Sequence, residues 1–206
     1  MAPGRSSVGV KQAMKLIGIE DAAKRLAGAS RIMVIGCSGS GKSTISATLA
    51  DRLGLRHVSM DKEFFWLPGW VPRSHSEVAR LMAEAVAEES WIMDGNNPRN
   101  MPMRLPRTEM IIWMRPTRWA SLYGVYGRAL RSHGKVRPDM AEGCPEQLPD
   151  RAFLRYIWNF ERIDAPRICG IIAAHGPDVP VLELRSRRET ARLLRLLATV
   201  PVRKAA

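Results

Sequence analysis

The chain of 206 residues is 46% hydrophobic and 25% charged, which suits one globular domain and excludes wholesale disorder and collagen-like or coiled-coil architecture. Its longest apolar run in the C-terminal half, Ile168 to Ala174, is far shorter than the roughly 20 residues of a membrane helix. The polar start, Met1 to Val10, lacks a secretory signal pattern, and the three cysteines lack the spacing of a disulfide framework or zinc site. A cytoplasmic protein is therefore expected.

The net charge of +12 is concentrated in two parts of the chain. Residues 99–137 hold nine basic residues and one acid, Glu109, and residues 185–206 hold seven basic residues and one acid. A basic segment this dense repels itself unless anions lie within it. The candidate anions are the phosphates of a small nucleotide, a nucleic-acid backbone and an acidic membrane surface, and composition alone does not choose among them.

Hydrophobic patterning, taken in chain order, predicts alternating strands and helices. Residues 1–30 are expected to form a helical extension, 31–200 the main domain and 201–206 a tail. The extension is expected to contain helices at Val10–Leu16 and Asp21–Ala27. The expected strands are Arg31–Ile35, His57–Met60, Trp91–Met93, Met110–Met114 and Val179–Leu184. The expected helices of the main domain are Ser43–Leu53, Ser76–Glu89, Thr117–Ser132, Asp150–Phe160, Pro166–His175 and Arg187–Leu197.

This alternation predicts an α/β fold in which helices cover both faces of a parallel sheet. The segment Ser132–Pro149 lacks periodicity and contains three prolines, so it is expected to be a loop or a short lid, within about residues 128–149. No repeat or linker divides the chain.

The sequence Gly36-Cys-Ser-Gly-Ser-Gly-Lys-Ser-Thr44 has the full G-x-x-x-x-G-K-[ST] pattern, between an expected strand and an expected helix. Such a loop curls its backbone N–H groups around phosphate oxygens at a helix N-terminus. Lys42 is then expected to reach the β- and γ-phosphates of ATP, and the Ser43 hydroxyl to ligate Mg²⁺. The expected nucleotide-binding residues are Gly36, Ser38, Gly39, Ser40, Gly41, Lys42, Ser43 and Thr44.

Two carboxylates follow expected strands, Asp61 after His57–Met60 and Asp94 after Trp91–Met93. In parallel sheets, ligands bind at the carboxyl ends of the strands, where both acids would lie beside the phosphate loop. Mg²⁺ keeps several waters and needs one or two carboxylates. Asp94 is therefore the expected metal contact, and Asp61 the expected metal or acceptor contact. For each, a helix cap or turn residue is the alternative.

The basic segment offers cations for the transferring phosphoryl group, which needs positioning and charge stabilisation. Arg128 and Arg131 lie three residues apart, on one face of the expected helix that enters the lid, and are expected to act in catalysis. Arg99 and Arg137 are expected to contact the substrate. The alternative is a solvated basic face.

Aromatic residues cluster around Pro68-Gly69, just after Asp61. They are expected either to stack on an acceptor, with Trp70 as a substrate contact, or to pin the loop to the sheet. Cys37, inside the phosphate loop, is expected to be a tolerated small side chain. No pairing or metal spacing assigns a role to the four histidines, which are His57, His75, His133 and His175.

Five blocks in order carry a resemblance to a known family: Gly36–Thr44, Asp61–Trp70, Trp91–Asn96, Arg137–Glu146 and Ile157–Phe160. Together they resemble the bacterial "DNA topology modulation protein" (FlaR-related) group of adenylate-kinase-like P-loop proteins. The resemblance spans roughly residues 31–197. It implies the nucleoside-monophosphate-kinase fold, with a five-stranded parallel sheet, flanking helices and a lid, and binding of ATP and Mg²⁺.

The resemblance also implies roles for individual residues. Asp94 and Arg99 look like the segment whose Asp orients metal-bound water and whose Arg grips the acceptor phosphate, although here the segment is one residue longer. Asp61 lies where shikimate-kinase-like relatives place a substrate or metal acid. Arg128 and Arg131 resemble the arginines at the entry of the lid.

Three functions remain open from the sequence. The first is an Mg²⁺-dependent kinase that transfers the ATP γ-phosphate to a nucleotide-like or hydroxyl acceptor. The second is a nucleic-acid-associated ATP-binding regulator of DNA topology, with weak nucleic-acid binding through the basic surface. The third is a nucleotide-binding switch with slow hydrolysis and a protein partner. A monomer or homodimer without a membrane partner is expected.

Overall fold

The computed structural model describes residues 14–201, and its centre is a five-stranded parallel sheet. The strands, in chain order, are β1 (Arg31–Gly36), β2 (His57–Ser59), β3 (Trp66–Leu67), β4 (Val71–Pro72), β5 (Trp91–Asp94), β6 (Met110–Met114) and β7 (Val181–Leu184). Across the sheet the order is β2-β5-β1-β6-β7, and β3 and β4 form a separate antiparallel hairpin. The α/β fold expected from the sequence is confirmed.

Helices cover both faces of this sheet. They are α1 (Ile19–Leu26), α2 (Lys42–Leu53), α3 (His75–Ala87), α4 (Met101–Arg104), α5 (Arg118–Ser132), α6 (Arg151–His175) and α7 (Arg187–Thr199). Ile32 and Val34 of β1 pack with α1, α2 and α7, whereas Met33 and Ile35 pack with α3 to α6. Successive side chains of β1 therefore pack alternately into two cores, one on each face of the sheet, as expected for a strand buried on both faces.

The N-terminal segment contributes to one of these cores. The expected helix Val10–Leu16 is wrong for residues 14–16, where Leu16 forms a parallel bridge to Val181, because this stretch lies along the edge of β7. Residues 10–13 of that prediction, like the rest of 1–13 and 202–206, lie outside the described residues. The division of the chain at residue 30 stays a prediction.

A single 25-residue helix, α6, replaces the two helices predicted at Asp150–Phe160 and Pro166–His175. Pro166 lacks an N–H and so removes one hydrogen bond within the helix. The helix continues because the flanking turns bury apolar side chains of Ala165, Ile168 and Ile172 against the sheet. Tertiary packing thus overrides the local helix-breaking signal.

The segment after Asp61 is also more ordered than a loop. Asp61–Phe65 forms a π-helical turn, which leads into the β3–β4 hairpin. Trp70 sits in the hairpin turn with φ of 63°, in the left-handed region. This segment forms one wall beside the carboxyl ends of the strands.

Candidate active site

The glycine-rich loop runs from the end of β1 to the start of α2, and its path depends on glycines. Gly36, Gly39 and Gly41 have φ values of 145°, 78° and 93°, which L side chains rarely adopt. A Cβ at Gly39 would overlap the carbonyl oxygen of Ser121 on α5. α2 begins directly at Lys42, so the N–H groups of its first turn lack helical acceptors. The loop therefore has the glycines and free donors that fit a phosphate chain.

Lys42 folds back across the loop. Its ammonium donates a hydrogen bond to the carbonyl oxygen of Cys37 at 2.9 Å. Loss of hydration lowers the pKa of Lys42, while the charges of Asp94 and Asp61 raise it. Burial raises the pKa of the Cys37 thiol to about 12, so this thiol stays protonated at neutral pH. Lys42 is thus a desolvated cation facing two carboxylates.

Asp94 ends β5, and its side chain is only 6% exposed. The register of β2 against β5 pairs Ser59 with Asp94, which brings His57 close to the same carboxylate. The Nε2 atom of His57 lies 3.1 Å from Oδ2 of Asp94. Sequence reasoning assigned no role to His57, because nothing in its local sequence shows that β2 lies beside β5.

Arg104 is a second neighbour of Asp94 that sequence reasoning missed. It is fully buried, and its Nη1 donates to the carbonyl oxygen of Gly95 at 3.2 Å. Its Nε and Nη2 have no hydrogen-bond partner within residues 14–201. Burial lowers the pKa of Arg104 to about 9, and the charge of Asp94 raises it. In the sequence, only the apolar neighbours Met103 and Leu105 could have indicated that Arg104 is buried.

Asn96 joins the phosphate loop to the segment after β5. Its Oδ1 accepts from the Gly36 N–H at 2.8 Å, and its Nδ2 donates to the Gly36 carbonyl at 2.5 Å. The side chain of Tyr156 on α6 hydrogen-bonds to Asn96, and burial raises the pKa of Tyr156. Both the N–H and the carbonyl group of Gly36, the first glycine of the loop, are therefore bound by the Asn96 side chain.

Asp61 begins the π-helical turn, beside the space between the phosphate loop and the lid, which is here called the cleft. It is open to solvent on one side, but the surrounding protein displaces water and raises its pKa. The Lys42 and Arg137 charges lower that pKa, whereas Asp94 raises it. The structure therefore brings these four predicted residues into one electrostatic cluster, although they are far apart in the sequence.

The lid contributes two arginines around a buried carboxylate. Nε of Arg128 donates to Oε1 of Glu146 at 2.8 Å, and Nε of Arg137 lies 2.7 Å from Oε2 of the same residue. Nη1 of Arg137 also pairs with Asp139 at 2.7 Å. The side chain of Glu146 is 6% exposed. Arg128, predicted at the entry of the lid, and Arg137, predicted to contact the substrate, are thus both paired with one acid near the end of the lid.

The same lid is closed over the hairpin wall. The Gly69 N–H donates to the Gly143 carbonyl at 2.9 Å, and Nε1 of Trp70 donates to the Pro145 carbonyl at 3.1 Å. On the other side, the Ser59 hydroxyl donates to the Asp139 carbonyl at 2.8 Å. Trp70 therefore lies in the packing between lid and hairpin.

Two predicted residues lie apart from this cluster. Arg99 and Arg131 are both exposed, and neither forms an ion pair within the described part of the chain. Arg99 lies in the segment after Asp94, where its N–H donates to the Asn97 side chain at 3.1 Å. Arg128 and Arg137 are therefore the basic residues that the structure brings to the cleft.

No group of three or more His, Cys, Asp or Glu side chains within residues 14–201 has the arrangement of a metal site. Mg²⁺ in nucleotide sites takes few protein ligands and keeps most of its waters. The hydroxyl of Ser43, in the first turn of α2, and the carboxylate of Asp94 fit that limited demand. No helix in the same part of the chain has the length and apolarity needed to cross a membrane.

Neither a protein-family model nor a curated protein matches this chain. Among solved structures it is similar to shikimate kinase from Acinetobacter baumannii in complex with shikimate, at 15% identity and a TM-score of 0.49, over 86% of this chain and 94% of that one. It is also similar to shikimate kinase from Bacteroides thetaiotaomicron, at 18% identity and a TM-score of 0.45, over 82% and 98%. At such identities and TM-scores neither similarity carries an inference about activity.

Proposed function

We propose that this protein is an Mg²⁺-dependent kinase that transfers the γ-phosphate of ATP to a small-molecule acceptor. The observation that carries the proposal is a glycine-rich loop that leads from β1 into Lys42 at the start of α2, beside the neighbouring strand β5 that ends in Asp94. The charges of Asp94 and Asp61 raise the pKa of Lys42, and the lid carries Arg128 and Arg137. Phosphoryl transfer needs this combination of fixed cations, a metal-holding acid and exclusion of water.

The loop and its neighbours hold the donor. The N–H groups of the first turn of α2 and the Lys42 ammonium bind the phosphates, and Ser43 and Asp94 are the residues that would hold Mg²⁺ with its waters. The chemistry that the metal would supply there is neutralisation of charge on the phosphate oxygens. His57 orients the Asp94 carboxylate, Arg104 holds the carbonyl of the next residue, Gly95, and Asn96 keeps the loop in its curled form.

Asp61 stands on the acceptor side of the cleft. Its carboxylate accepts a hydrogen bond from an acceptor hydroxyl and takes the proton as the phosphate bond forms. A carboxylate in this place repels an acceptor phosphate, which favours a hydroxyl acceptor over a nucleoside monophosphate. Arg128 and Arg137 each face Glu146 with Nε, and they stabilise the equatorial oxygens of the moving group through their other guanidinium nitrogens.

The resemblance implies an alternative function, a nucleic-acid-associated regulator of DNA topology. The basic segment 99–137 supports this alternative less than it supports a kinase. Arg104 is buried, Arg115 pairs with Glu161 and Glu183, and Arg128 and Arg137 pair with Glu146. Because so many of these charges are used inside the protein, the segment does not form one free basic face. Membership of the FlaR-related group, the cytoplasmic location and the oligomeric state stay predictions.

The test is ADP release from Mg-ATP by the purified protein. The assay compares hydroxyl acceptors such as shikimate, nucleosides, nucleoside monophosphates, DNA and no acceptor. A strong rise with one hydroxyl acceptor is expected, together with a loss of at least about a hundredfold in Lys42→Ala, whose unfolding transition stays near that of the wild type. Release that DNA alone stimulates, or that survives in Lys42→Ala, contradicts the proposal.

A further inference from the structure

Helix α5 presents a row of large side chains to solvent. Trp119, Tyr123, Tyr126 and Leu130 follow the spacing of one helical face, and their exposed fractions are 67%, 71%, 45% and 77%. The opposite face of the same helix is buried, and there Val125 packs against Gly39 of the phosphate loop. The row therefore lies on the back of the helix, away from the loop, and no step of the proposed phosphotransfer uses it.

The row continues onto α6 through Trp158, which is 43% exposed. The rings of Trp119 and Trp158 meet edge to face, with centroids 5.1 Å apart. The guanidinium of Arg118 lies over the Trp158 ring, 4.6 Å from its centroid. Between the two helices is an open groove of about 440 Å³, lined by Trp119, Leu122, Tyr126, Leu154, Arg155 and Trp158.

Arginines border this groove without matching acids. Arg155 lines the groove, and Arg118 and Arg162 lie with Glu161 around an adjoining hollow on the other side of Trp158. Arg151 follows the same helical stripe of α6. None of these four arginines forms an ion pair with a carboxylate within residues 14–201, and α5 contains no acidic residue. Of the two acids on α6, Glu161 is already paired with Arg115. The groove with its border, here called the aromatic–arginine face, is thus both ring-lined and positively charged.

A contiguous exposed set of rings like this one marks an interaction site in a soluble protein. A second copy of the chain is a poor occupant, because a symmetric contact places the arginines of one copy against those of the other, and each copy carries +12. A membrane surface would engage the protruding side chains of the row, such as Leu130, and would leave the groove between the rings empty. Flat bases fit between rings, and phosphates fit the bordering arginines.

We propose that the aromatic–arginine face binds single-stranded nucleic acid. Bases stack on Trp119 and Trp158 in the groove, and the backbone phosphates follow Arg118, Arg155 and Arg162 along its border. Binding of this kind depends on salt and tolerates many base sequences, since every base has a face that stacks and every nucleotide carries a phosphate. The site is separate from the phosphotransfer cleft, so it stands whether or not the kinase proposal holds.

The test uses fluorescence anisotropy of a labelled oligothymidylate at several salt concentrations, with the full chain. The wild type is expected to bind, with affinity that falls as salt rises and with quenching of tryptophan fluorescence. The double variant Trp119→Ala/Trp158→Ala is expected to bind at least about tenfold more weakly. Trp119→Phe/Trp158→Phe, which keeps the rings, is expected to restore most of the affinity.

Arginine variants test whether binding depends on the charges of this face or on the positive charge of the whole surface. Arg155→Gln/Arg162→Gln is expected to weaken binding and to reduce its salt dependence, whereas Arg188→Gln on α7, an exposed arginine elsewhere, is expected to change both little. ADP release should be the same in all these variants. No binding by the wild type, equal binding by the double tryptophan variant, or capture by acidic vesicles or self-association in place of oligonucleotide binding overturns the proposal.

Discussion

Asp94 depends on neighbours that are remote along the chain. His57 reaches it across the β2–β5 pair, and Arg104 approaches it from α4 with a guanidinium that keeps two nitrogens without a hydrogen-bond partner in the described structure. A buried carboxylate is costly unless charge and hydrogen bonds compensate it. His57 supplies a polar partner for the carboxylate and limits how it can turn, and Arg104 supplies a nearby positive charge.

Burial lowers the pKa of Arg104, so its charged guanidinium costs stability at neutral pH, and two of its nitrogens have no hydrogen-bond partner in the described structure. We therefore expect Arg104→Met to raise the free energy of unfolding, although Gly95 loses a donor. Urea unfolding curves of wild type and variant measure the change, and a loss of stability would contradict the prediction. If the charges of Arg104 and Asp94 interact, Arg104→Met gains less stability in the wild type than in Asp94→Asn.

Asp61→Asn should raise the free energy of unfolding at neutral pH while it lowers turnover about a hundredfold. Because the fold raises the pKa of Asp61 above its ordinary value of 3.8, the stability linked to its proton is fully present below that value and is lost as pH rises through the folded pKa. At neutral pH the ionised carboxylate therefore costs stability that Asn avoids. Urea unfolding at neutral and acidic pH tests this, and an advantage of Asn that persists at acidic pH speaks against it.

At the scale of elements, the lid and the hairpin form one unit. Glu146 holds Arg128 and Arg137, while the backbone at Gly143 and Pro145 bonds to the hairpin turn around Trp70. Nearby, Met140, Ala141 and Cys144 pack against Trp66 and Trp70. Of the two alternatives left open by the sequence, packing is therefore observed for Trp66 and Trp70, and a substrate contact by Trp70 stays a prediction.

Glu146→Gln should loosen this unit, since an uncharged amide holds two arginines less strongly than a carboxylate. We expect limited proteolysis within residues 132–149 to become about tenfold faster, which corresponds to about 1.4 kcal/mol. Glu142→Gln, an exposed acid of the same segment, is the matched control and should leave the rate unchanged. Equal rates for wild type and Glu146→Gln would mean that packing alone holds the lid.

At the scale of the whole molecule, the sheet separates two cores, and the N-terminal segment belongs to one of them. Ala22, Ala23 and Leu26 of α1 are buried against α7, and Arg192 of α7 pairs with Glu20 of α1. Residues before the first strand of the sheet thus contribute to the same apolar interior as the strands themselves.

Leu26→Ala is therefore expected to lower the free energy of unfolding by about 3 kcal/mol, because the side chain is fully buried and its removal leaves a cavity. Leu16→Ala, at a side chain that is 47% exposed in the same segment, is the control, and its cost should stay below about 1 kcal/mol. Thermal or urea unfolding measures both. A small effect at Leu26 would mean that α1 is dispensable for the main domain.

The five strands of the main sheet, the glycine-rich loop and the acids at strand ends were predictable, because each depends on a short stretch of sequence, whereas the short hairpin strands β3 and β4 were missed. Periodicity located β6 at its observed bounds, and the motif located the loop. Pro166 misled the prediction, since packing of α6 against the sheet outweighs one lost hydrogen bond. The sequence could not show that Arg128 and Arg137, rather than Arg131 and Arg99, come together. That pairing also depends on tertiary structure, because it follows from how the lid folds back.

By itself, the sequence determined the α/β alternation, the phosphate loop with Lys42 and Ser43, and the placement of Asp61 and Asp94 at strand ends. These features are local, because periodicity, glycine conformation and motif spacing act over a few residues. Only the tertiary structure decided which side chains surround those acids, which arginines the lid contributes and which aromatic residues stay exposed. Such relations depend on contacts between distant segments, and burial and charge pairing in the folded chain select them.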